Sequence, residues 1–328
     1  GGIASLMLAP MHDVAVGYVS IIFILLGISF GVGMPSCLAY LADNTSVGNR
    51  GRISALAFLL INLSAPFLMV LVASFDLSVN SMILAAWKIL GLIVIVLLKP
   101  KEKASTDTGR CISFSTIIRD KSFSLYLIPW FMFCVIDALE TVLLKDFVAS
   151  DFYQLTSMTA PVIAGFSILL AGLLSDRIGR KRVVIYGFVS LGVAYAIIGM
   201  APMLTLAWYF YIAIDAIAAG ILWVTFLMIL WGDLSPKGKA EKYYVIGGVP
   251  FFANALISSL LMPISNMLPL TAAFSLASFF LFLAVLPLMY APETVPQKNI
   301  ELQRMKGYIG QAKRIAGKYG GKTDRGKD

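Results

Sequence analysis

An all-α integral membrane fold with nine complete crossing helices is what this 328-residue sequence predicts, on three observations. The chain is 59% hydrophobic and only 13% charged, with a mean hydropathy of +0.85; soluble domains carry roughly 25% charged residues. Apolar runs fall at 14–42, 53–75, 79–98, 124–144, 156–174, 183–201, 206–232, 243–264 and 267–291. Each reaches the roughly 17–25 residues that a spanning helix needs. When the loops are assigned alternately to two sides, one side holds all of the 26 Lys and Arg residues except Lys145, which is opposite, and Lys88, which lies inside a run. The positive-inside rule makes that side the cytoplasm. A multi-pass protein of the plasma membrane with a cytoplasmic C-terminus is therefore expected. The net charge of +8 follows from topology, which argues against nucleic acid as a partner. Cys37, Cys111 and Cys134 show no paired spacing, so no disulfide framework, metal site or cofactor is indicated.

Taken in order, residues 1–9 are apolar but at ~1.5 Å per residue cover less than half a bilayer. They predict the tail of a helix that begins before Gly1. Further landmarks repeat along the chain. Ala9-Pro10-Met11 recurs as Ala201-Pro202-Met203, Asn62 as Asn254 and Pro100 as Pro292, each at an offset of 192. Asp43 recurs as Asp233 at an offset of 190. Agreement among four landmarks predicts a duplicated unit. The expected domains are 1–98 (part of a first unit, three helices and a stub), a charged linker 99–121, a six-helix second unit 122–292 and a basic tail 293–328. The offset further predicts about 70 residues and two helices ahead of Gly1. In the tail, Leu302, Met305, Ile309, Ala312, Ala316 and Tyr319 recur at three- and four-residue spacing. A basic amphipathic helix on anionic lipid fits this pattern, and a solvated tail is the alternative.

The most specific stretch is Gly172-Leu-Leu-Ser-Asp176-Arg177-Ile-Gly179-Arg180-Lys181-Arg182, between the fifth and sixth runs. Gly172, Asp176, Arg177, Gly179, Arg180 and Lys181 match the pattern G-x-x-x-D-R-x-G-R-R/K. The stretch resembles the signature of the major facilitator superfamily of secondary transporters. The resemblance implies two six-helix halves, with the runs here corresponding to helices four to twelve. Parallel six-helix repeats that rock about a midplane site are the architecture it carries. Asp43 followed by Arg50-Gly51-Arg52 resembles the family's loop between helices four and five. Pro292-Glu293-Thr294 resembles the Pro-Glu-Thr after helix twelve of the sugar-porter branch, which implies that Glu293 pairs with Arg180. By the family's pseudo-twofold, Asp176 is expected beside the start of family helix five, around residues 52–55.

Polar groups inside the runs are few. Asp137 and Glu140, three residues apart, share a helical face, and Asp215 falls at a similar depth to Asp137. An ionised Asp at mid-membrane costs about 2.5–3.5 kcal/mol on insertion scales, so such groups face a cavity or a partner. They are candidates for proton coupling, with a structural ion pair or a buried protonated carboxyl as the alternative. Asn62 and Asn254 are candidate substrate contacts or interhelical hydrogen bonders. Lys88 is a candidate binding or pairing cation, or a side chain that snorkels. Gly27-Ile-Ser29-Phe-Gly31 matches the nucleophile elbow of hydrolases. That motif needs a preceding strand and a histidine, whereas Ser29 lies inside a run and His12 is the sole histidine; an enzyme is not expected. The expected activity is proton-coupled transport of a small solute, with a sugar or organic metabolite favoured. A multidrug/proton exporter and a non-transporting membrane sensor or scaffold are the alternatives. The expected partners are the solute, protons and membrane lipid, around a monomer.

Overall fold

The computed structural model describes residues 1–9, 16–98, 112–147, 150–265 and 267–295, together with the single positions 301, 305, 308, 309 and 312. The stretch Pro10-Met11-His12, most of the expected linker including Cys111, and most of the expected tail helix lie outside these residues, as does the Lys145 side chain.

The described elements are helical throughout. A short α1 (Gly2–Leu6) precedes α2 (Val16–Asn44), α3 (Arg50–Ser74) and α4 (Leu77–Leu98). The small α5 (Phe114–Arg119) leads into α6 (Lys121–Phe147), α7 (Ser150–Ile178) and α8 (Arg180–Met200). Next, α9 (Thr205–Trp223) passes through a π-helical segment, Val224–Leu230, into α10 (Trp231–Leu234). The last two are α11 (Ala240–Ser265) and α12 (Leu270–Tyr290). Nine spans of the described residues are long and apolar enough to cross a membrane, with α9, the π segment and α10 forming one of them. Helices are the expected solution in lipid, where each backbone N–H and C=O must find its partner within the segment.

Along the chain the helices fall into a first group, α1–α4, and a second, α5–α12 with the π segment. In the first, α1 packs on α4 and α2; in the second, α6 packs on α11 and α12, α8 on α9 and α12, and α7 on α9. The second group has an aromatic core of Phe123, Tyr126, Trp130, Phe188, Phe226, Trp231 and Phe274, all essentially inaccessible. Large apolar side chains such as Phe67, Trp87 and Leu97 point outward, as contact with lipid chains requires. The groups meet where α3 packs on α7, α2 on α11, and the π segment on α3.

The sequence predicts one uniform helix at 206–232, and the structure differs. π turns are wide, rare over several residues and concentrated at functional sites. Here the segment presents Phe226 to Trp130 (ring centroids 5.0 Å) and, just beyond it, Trp231 to Phe123 (4.9 Å). Apolar content is the same for either winding, so the run could not reveal it.

The α3–α7 contact depends on Gly172. A Cβ there would collide with the Cβ of Ala55 and the carbonyl oxygen of Gly51. Gly172→Val should therefore pry α3 from α7, at a cost of about 1–3 kcal/mol as for other overpacked sites. Thermal unfolding of the purified protein checks this; an unchanged midpoint would rule out close packing at Gly172.

Candidate functional site

At the cation-rich end of the bundle, charges interlock between the two helix groups. The α3 N-terminus leaves backbone N–H groups without helical partners. Its N-cap residue, Asn49, makes no side-chain cap bond to them. Asp176, at the end of α7, caps them from the other group: the Gly51 and Arg52 N–H groups each donate to its carboxylate at 3.1 Å. A carboxylate at this position also opposes the positive end of the helix dipole. The Arg180 guanidinium donates to Asp176 Oδ1 at 2.6 Å and to Ser175 Oγ at 3.0 Å. It further reaches Asp233 Oδ2 at 3.0 Å and the carbonyl of Val47, in the first group, at 2.8 Å. Arg50, on α3, donates to Asp233 Oδ1 at 2.5 Å and to the Ala42 carbonyl at 2.7 Å. The side chains of Asp176, Arg180 and Asp233 are wholly buried and that of Arg50 nearly so.

Gly179 makes the turn that lets this happen. Its φ of 103° lies where only glycine is comfortable, and a Cβ would strike the Glu293 carboxylate. Glu293 accepts from the Arg180 backbone N–H at 2.7 Å, not from its guanidinium. The expected side-chain pair is thus replaced by a cap on α8, because the guanidinium is already committed to Asp176 and Asp233. Thr294 Oγ1 donates to Asp233 at 3.3 Å and Tyr126 Oη to the Pro292 carbonyl at 2.7 Å, which anchors the Pro292-Glu293-Thr294 stretch. Asp43 is exposed and accepts from the Gly238 N–H at 3.0 Å, a second tie between the groups. Ser36 Oγ donates to Glu241 at 2.8 Å, a third. Arg177 is exposed, and Lys181 Nζ donates to the Met289 carbonyl at 2.6 Å.

Toward the membrane centre, the three carboxylates of the second group separate by environment. Asp137 accepts from Asn254 Nδ2 at 2.9 Å, and both line a cavity of about 630 Å³ between the groups. Glu140 accepts from the hydroxyls of Tyr195 (α8) and Tyr211 (α9), which pack edge-on to each other with ring centroids 5.4 Å apart. Asp215 lies on α9, which packs against α7 and α8. Asn62 donates back to the Phe58 carbonyl of its own helix at 2.9 Å and lines a smaller cavity of about 240 Å³ with Trp223 and Phe251. The repeat-related asparagines therefore differ: one orients a carboxylate and the other does not. Lys88 Nζ donates to Ser5 Oγ at 2.9 Å and borders a third cavity of about 960 Å³. Ser29 borders that cavity from within α2, so the nucleophile-elbow string has no strand before it.

Asp233, Tyr195, Tyr211, Trp223 and Phe251 are site residues that sequence reasoning missed. Asp233 carried a signal, as the repeat copy of Asp43 facing Arg50-Gly51-Arg52. The tyrosines carried none, being aromatic residues within apolar runs.

The human organic anion transporter MFSD10 (TETRAN) has a crystal structure similar to this one, with a TM-score of 0.65 and 18% sequence identity. The match covers 88% of this chain and 74% of that chain. No protein-family model matches the chain, and no curated protein matches it in sequence. At this identity the likeness concerns the fold: the chain adopts the fold of major facilitator superfamily transporters.

Proposed function

We propose that this chain moves a small organic solute across the membrane by alternating access, driven by protons. It acts as a secondary transporter, not an enzyme, in the plasma membrane with the charged end in the cytoplasm. The observation that carries this reading is the interlocked set Arg50, Asp176, Arg180 and Asp233, whose members come from both helix groups and close one end of the bundle. A contact of this kind is made in one state and lost in the other, so it biases a rocking equilibrium. Cavities between the groups, with Asp137 and Asn254 on one wall, supply the midplane compartment that such a cycle alternately exposes. Asp137 is the cavity-facing group suited to exchange a proton, with Asp215 and Glu140 behind it.

Leu227 provides the test: it is 7% exposed and lines the space between the groups. With Cys37, Cys111 and Cys134 replaced, Leu227→Cys should react slowly with a thiol reagent applied from the charged end. Asp176→Asn should raise that rate. Asp176 is also a wholly buried partner of Arg180, and removing one member of such a pair costs about 3–5 kcal/mol. Arg180 keeps Asp233, so the lower end and an increase of roughly a hundredfold are expected. Glu293→Gln, which weakens the cap on α8, should raise it less. Unchanged rates in both variants would reject the alternating-access reading.

A further inference from the structure

The 630 Å³ cavity is lined by Asp137 and Asn254 on one side and by Phe30, Trp223, Phe251 and Phe252 on the others. Its volume is within the roughly 300–1,000 Å³ of small-molecule sites. Phe30 comes from α2 of the first group, and the other rings from α9 and α11 of the second. The rings form a continuous wall: Phe30 lies 6.3 Å from Phe251 and 5.7 Å from Phe252, while Phe251 lies 5.5 Å from both Trp223 and Phe252. Phe30 and Phe252 are exposed, and Asp137 and Trp223 are half-buried.

We infer that this cavity binds an organic cation, a lipophilic amine or onium ion, with Asp137 as its counter-ion and the aromatic wall as its cage. The inference rests on the transport reading above and names the solute class for it. Three features favour a cation over other classes. Aromatic faces attract cations through their quadrupole, most strongly in a desolvated site. Asp137 supplies a negative charge at the cavity wall, and Asn254 fixes its orientation with one hydrogen bond. Among the described residues, no Lys or Arg borders this cavity. A hydroxyl-rich solute would meet mostly rings and only two polar side chains. An organic anion would face the Asp137 charge with no cation to offset it. Because Phe30 and Asp137 belong to different helix groups, a ligand held between them would contact both halves of the rocking unit.

The experiment uses an isosteric pair, tetraphenylphosphonium and tetraphenylborate, which share shape and differ in charge. Equilibrium binding to the purified full chain in detergent should show saturable uptake of the phosphonium only. Asp137→Asn should weaken it at least tenfold and Asp137→Glu should restore much of it. Phe30→Leu and Phe252→Leu, which keep apolar volume but remove a ring, should each weaken it severalfold. Both phenylalanines are exposed, so these variants keep the fold and separate loss of the cage from misfolding. Phosphonium binding indifferent to Asp137→Asn would overturn the inference. So would preferential binding of the borate lost in Lys88→Gln, since Lys88 borders a different cavity. Binding is read without any conformational cycling. A failure here with normal Leu227→Cys behaviour would therefore strike the solute class and leave the transport reading intact.

Discussion

Arg180→Ala should release the charged end of the bundle and raise the reactivity of Leu227→Cys by about two orders of magnitude. The Arg180 side chain is completely buried and bonds to Asp176, Ser175, Asp233 and a carbonyl of the opposite helix group. Removing one partner from a buried ion pair costs about 3–5 kcal/mol, because the remaining charge stays buried without compensation. Here both carboxylates keep other donors: Asp176 retains the Gly51 and Arg52 N–H groups, and Asp233 retains Arg50. The lower end, ~3 kcal/mol, is therefore expected, and at ~1.4 kcal/mol per tenfold this gives the stated factor. The loss falls on the closed state, where Arg180 holds the Val47 carbonyl of the first group and steadies the two carboxylates that bind the start of α3. Arg180→Lys keeps the charge but lacks the planar fork that spans two carboxylates, and should lie between wild type and Ala.

Asp233→Asn makes the same point from the other side, by leaving Arg50 and Arg180 to face each other across a neutral amide. The double variant Arg180→Ala, Asp233→Asn should open less than the sum of the two single changes, since it removes both members of a coupled pair. Strict additivity would show that the two residues act independently. Equal reactivity in wild type and Arg180→Ala would reduce the motif to a topological signal.

Much of the fold was legible because lipid imposes a severe condition. Only long apolar helices satisfy it here, and the ends of the runs lie within a few residues of the helices. The deviations have physical causes. α3 starts at Arg50, ahead of the run at 53–75, because Asp176 caps a first turn that carries two arginines. No window of apolar residues contains that carboxylate. The position of Asp176 beside the start of α3 is what the family resemblance implies. The destination of each guanidinium nitrogen is not. The resemblance implied Glu293 as the partner of Arg180, but with the turn at Gly179 Glu293 takes the backbone N–H and Asp233 the side chain. The π segment and the two tyrosines on Glu140 were illegible for the same reason: an apolar run records that a residue is buried, not which way it points.

The largest effect on coupling should come from Asp137→Asn, expected to abolish the proton dependence of the conformational equilibrium. Asp137 and Glu140 sit one turn apart on α6, yet their surroundings differ. Glu140 is held by two phenolic donors, and intramolecular hydrogen bonds are worth about 0.5–1.5 kcal/mol each. A group clasped so firmly on the inside of one helix bundle is poorly placed to trade protons with a cavity. Tyr195→Phe and Tyr211→Phe should therefore lower thermal stability more than they alter coupling. Asp137 has one amide donor and borders the cavity, so a proton can reach it and leave again. In wild type, lowering the pH should change the labelling rate of Leu227→Cys as the cavity carboxylate takes up a proton. Because only the thiolate reacts, each rate is divided by that of Leu227→Cys in the denatured chain at the same pH. Asn keeps the shape and cannot carry that proton, so in Asp137→Asn this ratio should stay constant across the range. Asp215→Asn should reduce the pH response, and Glu140→Gln should leave most of it. Comparing three variants in one assay removes any contribution from His12 and from the charged end, which are the same in all. A full pH response in Asp137→Asn would move the proton site elsewhere, and its loss only in Glu140→Gln would assign the role to the residue between the tyrosines.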